Sequence, residues 1–170
     1  MENTSGFLHE QDIKPKLPTG LNVLTILTFV GSAVQLIFAL WGFISAKKNY
    51  DGLEKLTEQM NSDSMPGWVK SLMGDPETMI KTITKSYENR IPILLMSLVA
   101  VALCVYGAIQ MRQLKKQGFL FYTIGELLPF LTQFLFIGAF TFAGVGMYFF
   151  VAIALLFIIL YAGQRKHLIY

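Results

Sequence analysis

One cysteine, Cys104, stands in a chain of 170 residues. An internal disulfide, a CxxC redox pair and a cysteine-built metal site are therefore excluded. Histidine is almost as scarce, since only His9 and His167 occur and they lie in opposite tails. Neither belongs to an HExxH zinc pattern, and the chain has neither a phosphate-cradling glycine loop nor a nucleophile elbow. Charge is thin as well, at 15% of residues, with 14 basic against 11 acidic side chains. The basic residues are scattered and build no soluble basic face, which argues against contacts to a nucleic-acid backbone. No catalytic residue, cofactor site or metal site is read from the chain, and the expectation is a protein that is not an enzyme.

Apolar length is what the chain has instead. Hydrophobic residues make up 54% of it, more than a soluble globular protein usually carries. A helix needs about 20 apolar residues to cross a bilayer, and the sequence offers four such stretches. The predicted fold class is all-α: an integral membrane four-helix bundle with an amphipathic helical extracytoplasmic loop between spans 1 and 2. The boundaries read as a tail over 1–20, spans over 21–46, 91–111, 119–140 and 147–163, a loop over 47–90, short turns over 112–118 and 141–146, and a terminal segment over 164–170. The tail shows no cleaved signal, so the first span is expected to act as its own insertion signal.

The first span carries Thr25, Thr28, Ser32, Gln35 and Ala39 at steps of three and four, which places them on one helical face. Such a stripe suits a helix-helix seam in lipid, and a polar path is the competing use. In the second span Ser97, Ala100, Cys104 and Gly107 form another small face. No GxxxG motif occurs. Cys104, in apolar surroundings, is expected to be inert.

The segment 47–90 is the one sizeable soluble part, with seven basic and seven acidic residues and no net charge. Asp75-Pro76-Glu77 reads as a helix start, with a capping acid, a first-turn proline and an acid near the positive end of the helix dipole. Amphipathic helices are expected on either side of the Met65-Pro66-Gly67 break. Trp68, Leu72, Met79 and Ile83 form a candidate docking loop for a partner, with a plain lid over the helix ends as the alternative.

One intramembrane residue stands out, Glu126 in the third span, followed by Pro129. At about 1.5 Å per residue it lies roughly 12 Å in from Gly118. A carboxylate at that depth costs several kcal/mol unless it is protonated or finds donors, and such residues normally face the bundle interior. Tyr122, Glu126, Pro129 and Gln133 share one face, and Pro129 frees the carbonyl of Gly125 from its backbone partner. The candidate polar site is therefore Glu126 with Tyr122, Gln133, Thr25, Thr28 and Gln35. Glu126 admits two readings. Either it is a structural group bonded to Thr25, Thr28 or Tyr106, or it takes part in a proton or cation step.

The segment KPKLPTGLNVLTILTFVGSAVQLIFALWGF, followed by AKKNYD, resembles uncharacterised small four-span membrane proteins of Bacteroidetes. That resemblance covers the opening third and implies a bacterial inner membrane, with no catalytic residues to carry over. The layout is also similar to claudin-like proteins, but the cysteine pair that marks their loop is missing.

These features predict an accessory or scaffolding subunit of a membrane complex, its partners being the bilayer and other membrane subunits or further copies of the chain. The alternative is a small oligomeric transporter or ion-coupled channel using Glu126. Orientation follows from the flanking cations: Lys14, Lys16, Arg112, Lys115, Lys116, Arg165 and Lys166 fall on one side and Lys47, Lys48, Lys85 and Arg90 on the other. The larger set marks the cytoplasmic side, with both termini. A reporter fused after Met60 is expected to read as extracytoplasmic and one after Tyr170 as cytoplasmic; the reverse pattern in a fusion assay would overturn this orientation.

Overall fold

In a computed structural model, residues 17–61, 76–143 and 145–169 are described. Trp68 and Leu72 of the expected docking loop, and Asp75 of the expected cap, lie outside them. The described residues are helical nearly throughout and form no strand. Four helices are long and apolar enough to cross a membrane.

The first, α1, covers Thr19–Asp51, 33 residues and so about 50 Å. That exceeds the hydrocarbon thickness of about 30 Å. The apolar run ends near Ala46, yet the helix continues through Lys47 and Lys48, because no breaking residue occurs before Gly52. There the Gly52 amide closes the helix on the Lys48 carbonyl at 3.0 Å. Among the described residues two short helices follow, α2 over Leu53–Asn61 and α3 over Pro76–Glu88. The start at Pro76 places the proline where its missing N–H costs nothing. α3 rests on α1, and the Tyr50 and Tyr87 rings stack across that contact with centroids 4.6 Å apart.

α4 spans Arg90–Arg112 and α5 spans Gln117–Thr132, and these two make the most extensive helix pair. Their contact is backbone to backbone. A Cβ on Gly107 would lie 2.6 Å from the Tyr122 amide nitrogen and 2.7 Å from the Gly118 carbonyl oxygen. One on Gly125 would meet the Cys104 nitrogen at 2.8 Å and the Ala100 oxygen at 2.9 Å. Ala100, Cys104, Gly107 and Met111 on α4 face Gly118, Tyr122 and Gly125 on α5, and all are buried. Ser97 is the exception to the expected small face. It is half-buried and lines a cleft described below.

The α4–α5 turn is closed by an αL cap. The Lys115 amide bonds the Gln110 carbonyl at 3.0 Å and the Leu114 amide bonds that of Met111 at 2.9 Å, the Schellman pattern. Leu114 holds φ 60°, where glycine is usual. A non-glycine residue there costs of order 1–2 kcal/mol, and burial of the Leu114 side chain, 5% exposed, offsets it.

α5 does not end cleanly. After Pro129 the chain widens into a π turn over Gln133–Ile137, closed by the Gly138 amide on the Gln133 carbonyl at 3.0 Å. Gly138 has φ 126°, open only to glycine, and stops the helix short of the expected end at residue 140. A 3-10 turn, Ala139–Ala143, leads to α6 over Val145–Gln164, and a last turn covers Arg165–His167.

The buried cluster sits at the end where the α1 start, the α4–α5 turn and the α6 end meet. It contains Leu21, Leu24, Met111, Leu114, Tyr122, Tyr161 and Leu168. Ile169 extends it by bonding its amide to the Leu114 carbonyl at 2.8 Å.

Gly107→Ala is expected to cost about 1–3 kcal/mol because the new methyl meets backbone that cannot yield. Gly31→Ala, with open space around its Cβ, should not lower stability. Thermal unfolding in detergent checks both, and an equal response of the two variants would refute the close seam.

Candidate functional site

Polar side chains in the spans converge where α1, α4, α5 and α6 meet. The stripe read on α1 turns inward at its first half: Thr25, Thr28 and Ser32 are buried, while Gln35 and Ala39 are half-buried. Opposite it stand Tyr122 and Glu126 of α5, Cys104 of α4 and Tyr161 of α6. A cavity of about 80 Å³ lies between them, lined by Thr28, Ser32, Gln35, Cys104, Tyr122 and Glu126 among others. At that volume it holds a few waters. Glu126 is half-buried beside it.

Several of these polar groups have partners, though not always the expected ones. Thr28 Oγ1 shares a 2.7 Å hydrogen bond with Tyr161 Oη. Thr25 Oγ1 donates to the Asn22 carbonyl at 2.9 Å and accepts from Arg112 Nη1 at 3.2 Å. Tyr106 Oη accepts from Gln110 Nε2 at 2.6 Å on an exposed part of α4, with its ring edge-on to Phe121. So Thr25, Thr28 and Tyr106 are not the partners of Glu126. Beside its carboxyl stand the Tyr122 hydroxyl and the Cys104 thiol, the latter 3.9 Å from Oε2. The cause is register: the Gly107 and Gly125 contacts bring α4 against α5 with Cys104 next to Gly125, and hence next to Glu126.

The ring pair beneath the carboxyl was not legible in the sequence. Tyr122 and Tyr161, 2% and 0% exposed, pack with centroids 4.5 Å apart. Tyr161 lies near the end of an otherwise apolar helix, and its spacing gives no signal of an inward hydroxyl. Thr28 fixes it there.

Gln133 is separated from the Glu126 group. It lines a second, larger cleft of about 300 Å³ formed by the far half of α1, α3, the start of α4 and the π turn. Ile83 also lines it, and Met79 is half-buried nearby on α3. The structure thus brings Tyr122, Glu126, Thr28 and Gln35 to one cavity, places Thr25 nearer the Arg112 end, and assigns Gln133 and Ile83 to another. Among the described residues no group of three or more metal-ligating side chains occurs.

No protein-family model, curated protein or solved structure matches the chain. The functional reading therefore rests on these side chains alone.

In a double-mutant cycle, Thr28→Val with Tyr161→Phe is expected to give a coupling of about 0.6 kcal/mol, with about 1.7 as the ceiling for such bonds within a membrane. Additive losses in unfolding stability would show that the Thr28–Tyr161 bond ties α1 to α6 by no measurable amount.

Proposed function

We propose that the chain is a non-enzymatic integral membrane protein that serves as an accessory or scaffolding subunit of a membrane complex. It would sit in a bacterial inner membrane as a four-helix bundle, both termini cytoplasmic, with α2 and α3 forming an extracytoplasmic helical loop. The apolar length of the four helices supports the membrane, and the excess of cations at the end holding Arg112, Lys115, Lys116, Arg165 and Lys166 supports the orientation.

The observation that carries the subunit role is the thin attachment of α6. This helix touches α1 and α5 sparsely and exposes Tyr148, Phe149, Phe150 and Ile159 by more than 60%. Between it and α5 lies a wholly apolar cleft of about 340 Å³, lined by Phe130, Phe142, Met147 and Val151 among others. Helices in lipid associate by close packing, since lipid already satisfies apolar surface. A helix left so loosely packed within its own chain is suited to complete its packing against another subunit.

Transport through Glu126 is the second reading, favoured by the cavity beside that residue. Its small volume and the partners already held by Thr28 and Tyr161 weigh toward a structural polar cluster.

Purification in mild detergent is expected to recover a stable heteromeric complex, unchanged by Glu126→Gln. A homogeneous homo-oligomer whose ion flux in liposomes is lost in Glu126→Gln would overturn the subunit role and establish transport.

A further inference from the structure

We propose that the cleft between α1, α3, α4 and the π turn is a binding site for one anionic phospholipid of the surrounding bilayer, its phosphate on Arg90 and an acyl chain along the cleft. The inference goes beyond the subunit role and rests only on the four apolar helices crossing a membrane.

Three observations carry it. The first is shape. The cleft follows α1 from Phe38 to Asn49, about 16 Å of helix, and α4 from Arg90 to Ser97, about 10 Å. It is elongated, and at about 300 Å³ it falls at the lower end of small-ligand sites.

The second is the distribution of polarity. Arg90, Asn49 and Ser86 occupy the end where the α4 span begins, the depth of a headgroup. Phe38, Ile93, Leu94 and Ile137 supply apolar wall.

The third is the state of Arg90. No carboxylate among the described residues pairs with it, and its guanidinium lies over the Tyr87 ring at 4.7 Å. That stacking orients a planar fork of donors suited to a phosphate. Tyr87 is held in turn by Tyr50. The floor is equally set: the Asn89 side-chain amide donates to the Phe136 carbonyl at 3.2 Å, joining the residue before Arg90 to the π turn. Turns of this kind recur at functional sites, and here the widened backbone puts Gln133 and Ile137 on the cleft wall.

Native mass spectrometry of the full chain, released from bilayers of equal phosphatidylglycerol and phosphatidylcholine, tests the site. The wild type is expected to retain phosphatidylglycerol about fivefold over phosphatidylcholine, and Arg90→Gln to abolish that preference. Lys48→Gln, exposed and outside the cleft, should keep it. Gly42 lines the cleft with open space at its Cβ, so Gly42→Leu should fill the cleft and remove both lipid adducts while helicity and elution volume stay unchanged. Should Gly42→Leu fail to fold, the contrast between Arg90→Gln and Lys48→Gln decides. Equal retention of the two lipids by the wild type would overturn the proposal. So would a preference that survives Arg90→Gln, or displacement of the lipid by millimolar inorganic phosphate, which would indicate a free-anion site.

Discussion

The backbone contact between α4 and α5 is the constraint on which the other placements depend. In lipid there is little hydrophobic gain in bringing two helices together, so the pair must be held by dispersion at short range. Gly107, Gly118 and Gly125 permit that range, each with a would-be Cβ under 3 Å from the facing helix. With two helices locked at so small a separation, their register is fixed to a single residue. Cys104 then falls beside Glu126, and Tyr122 is directed at Tyr161. The αL cap at Leu114 belongs to the same constraint. A short connection between tightly apposed antiparallel helices must reverse at once, and burial of Leu114 against the core compensates for the conformation this imposes.

Polar chemistry in the spans follows from the same geometry. Thr28 and Tyr161 satisfy one another across α1 and α6, and Arg112 reaches Thr25 at the helix ends. Glu126 has beside it the Tyr122 hydroxyl, a thiol at 3.9 Å and a cavity that admits a few waters. A register that turned this carboxyl toward lipid would cost several kcal/mol. The Thr28 bond engages α6 near its end, at Tyr161.

The all-helical class and the four apolar helices of spanning length were legible in composition and run length, because a bilayer demands both. The inward half of the α1 stripe, Thr25 to Ser32, was legible from its period of 3.6. Pairings between helices were not. A pattern within one helix tells which face is small, not which residue of another helix meets it, so Gly118 reads as a loop end and Gly125 only as the carbonyl that Pro129 frees. Thr25, Thr28 and Tyr106 are candidate partners of Glu126 by depth alone, and register gives all three other partners. The π turn was foreshadowed by Pro129 but not located by it, since the widened turn begins four residues later. Its closing residue, Gly138, looked like any other glycine until its φ of 126° was seen.

Pro129 connects the two ends of the molecule. A regular helix from Gln117 onward would keep the face bearing Tyr122, Glu126 and Gln133 in one line. The proline removes a backbone donor, and the following π turn inserts an extra residue into the helical repeat, rotating everything beyond it. Gln133, two helical turns and so about 10 Å beyond Glu126, lines the cleft at Arg90 instead of the Glu126 cavity. One helix thus borders two unlike environments, a small polar cavity near its middle and a larger cleft at its end. The Asn89–Phe136 bond holds the rotated part against the start of α4. Within the π turn, Ile137 lines the same cleft as Phe38 and Leu94, and α3 contacts this turn as well as α1. The irregularity in α5 thus borders the larger cleft, in a chain whose tightest packing lies at the other end.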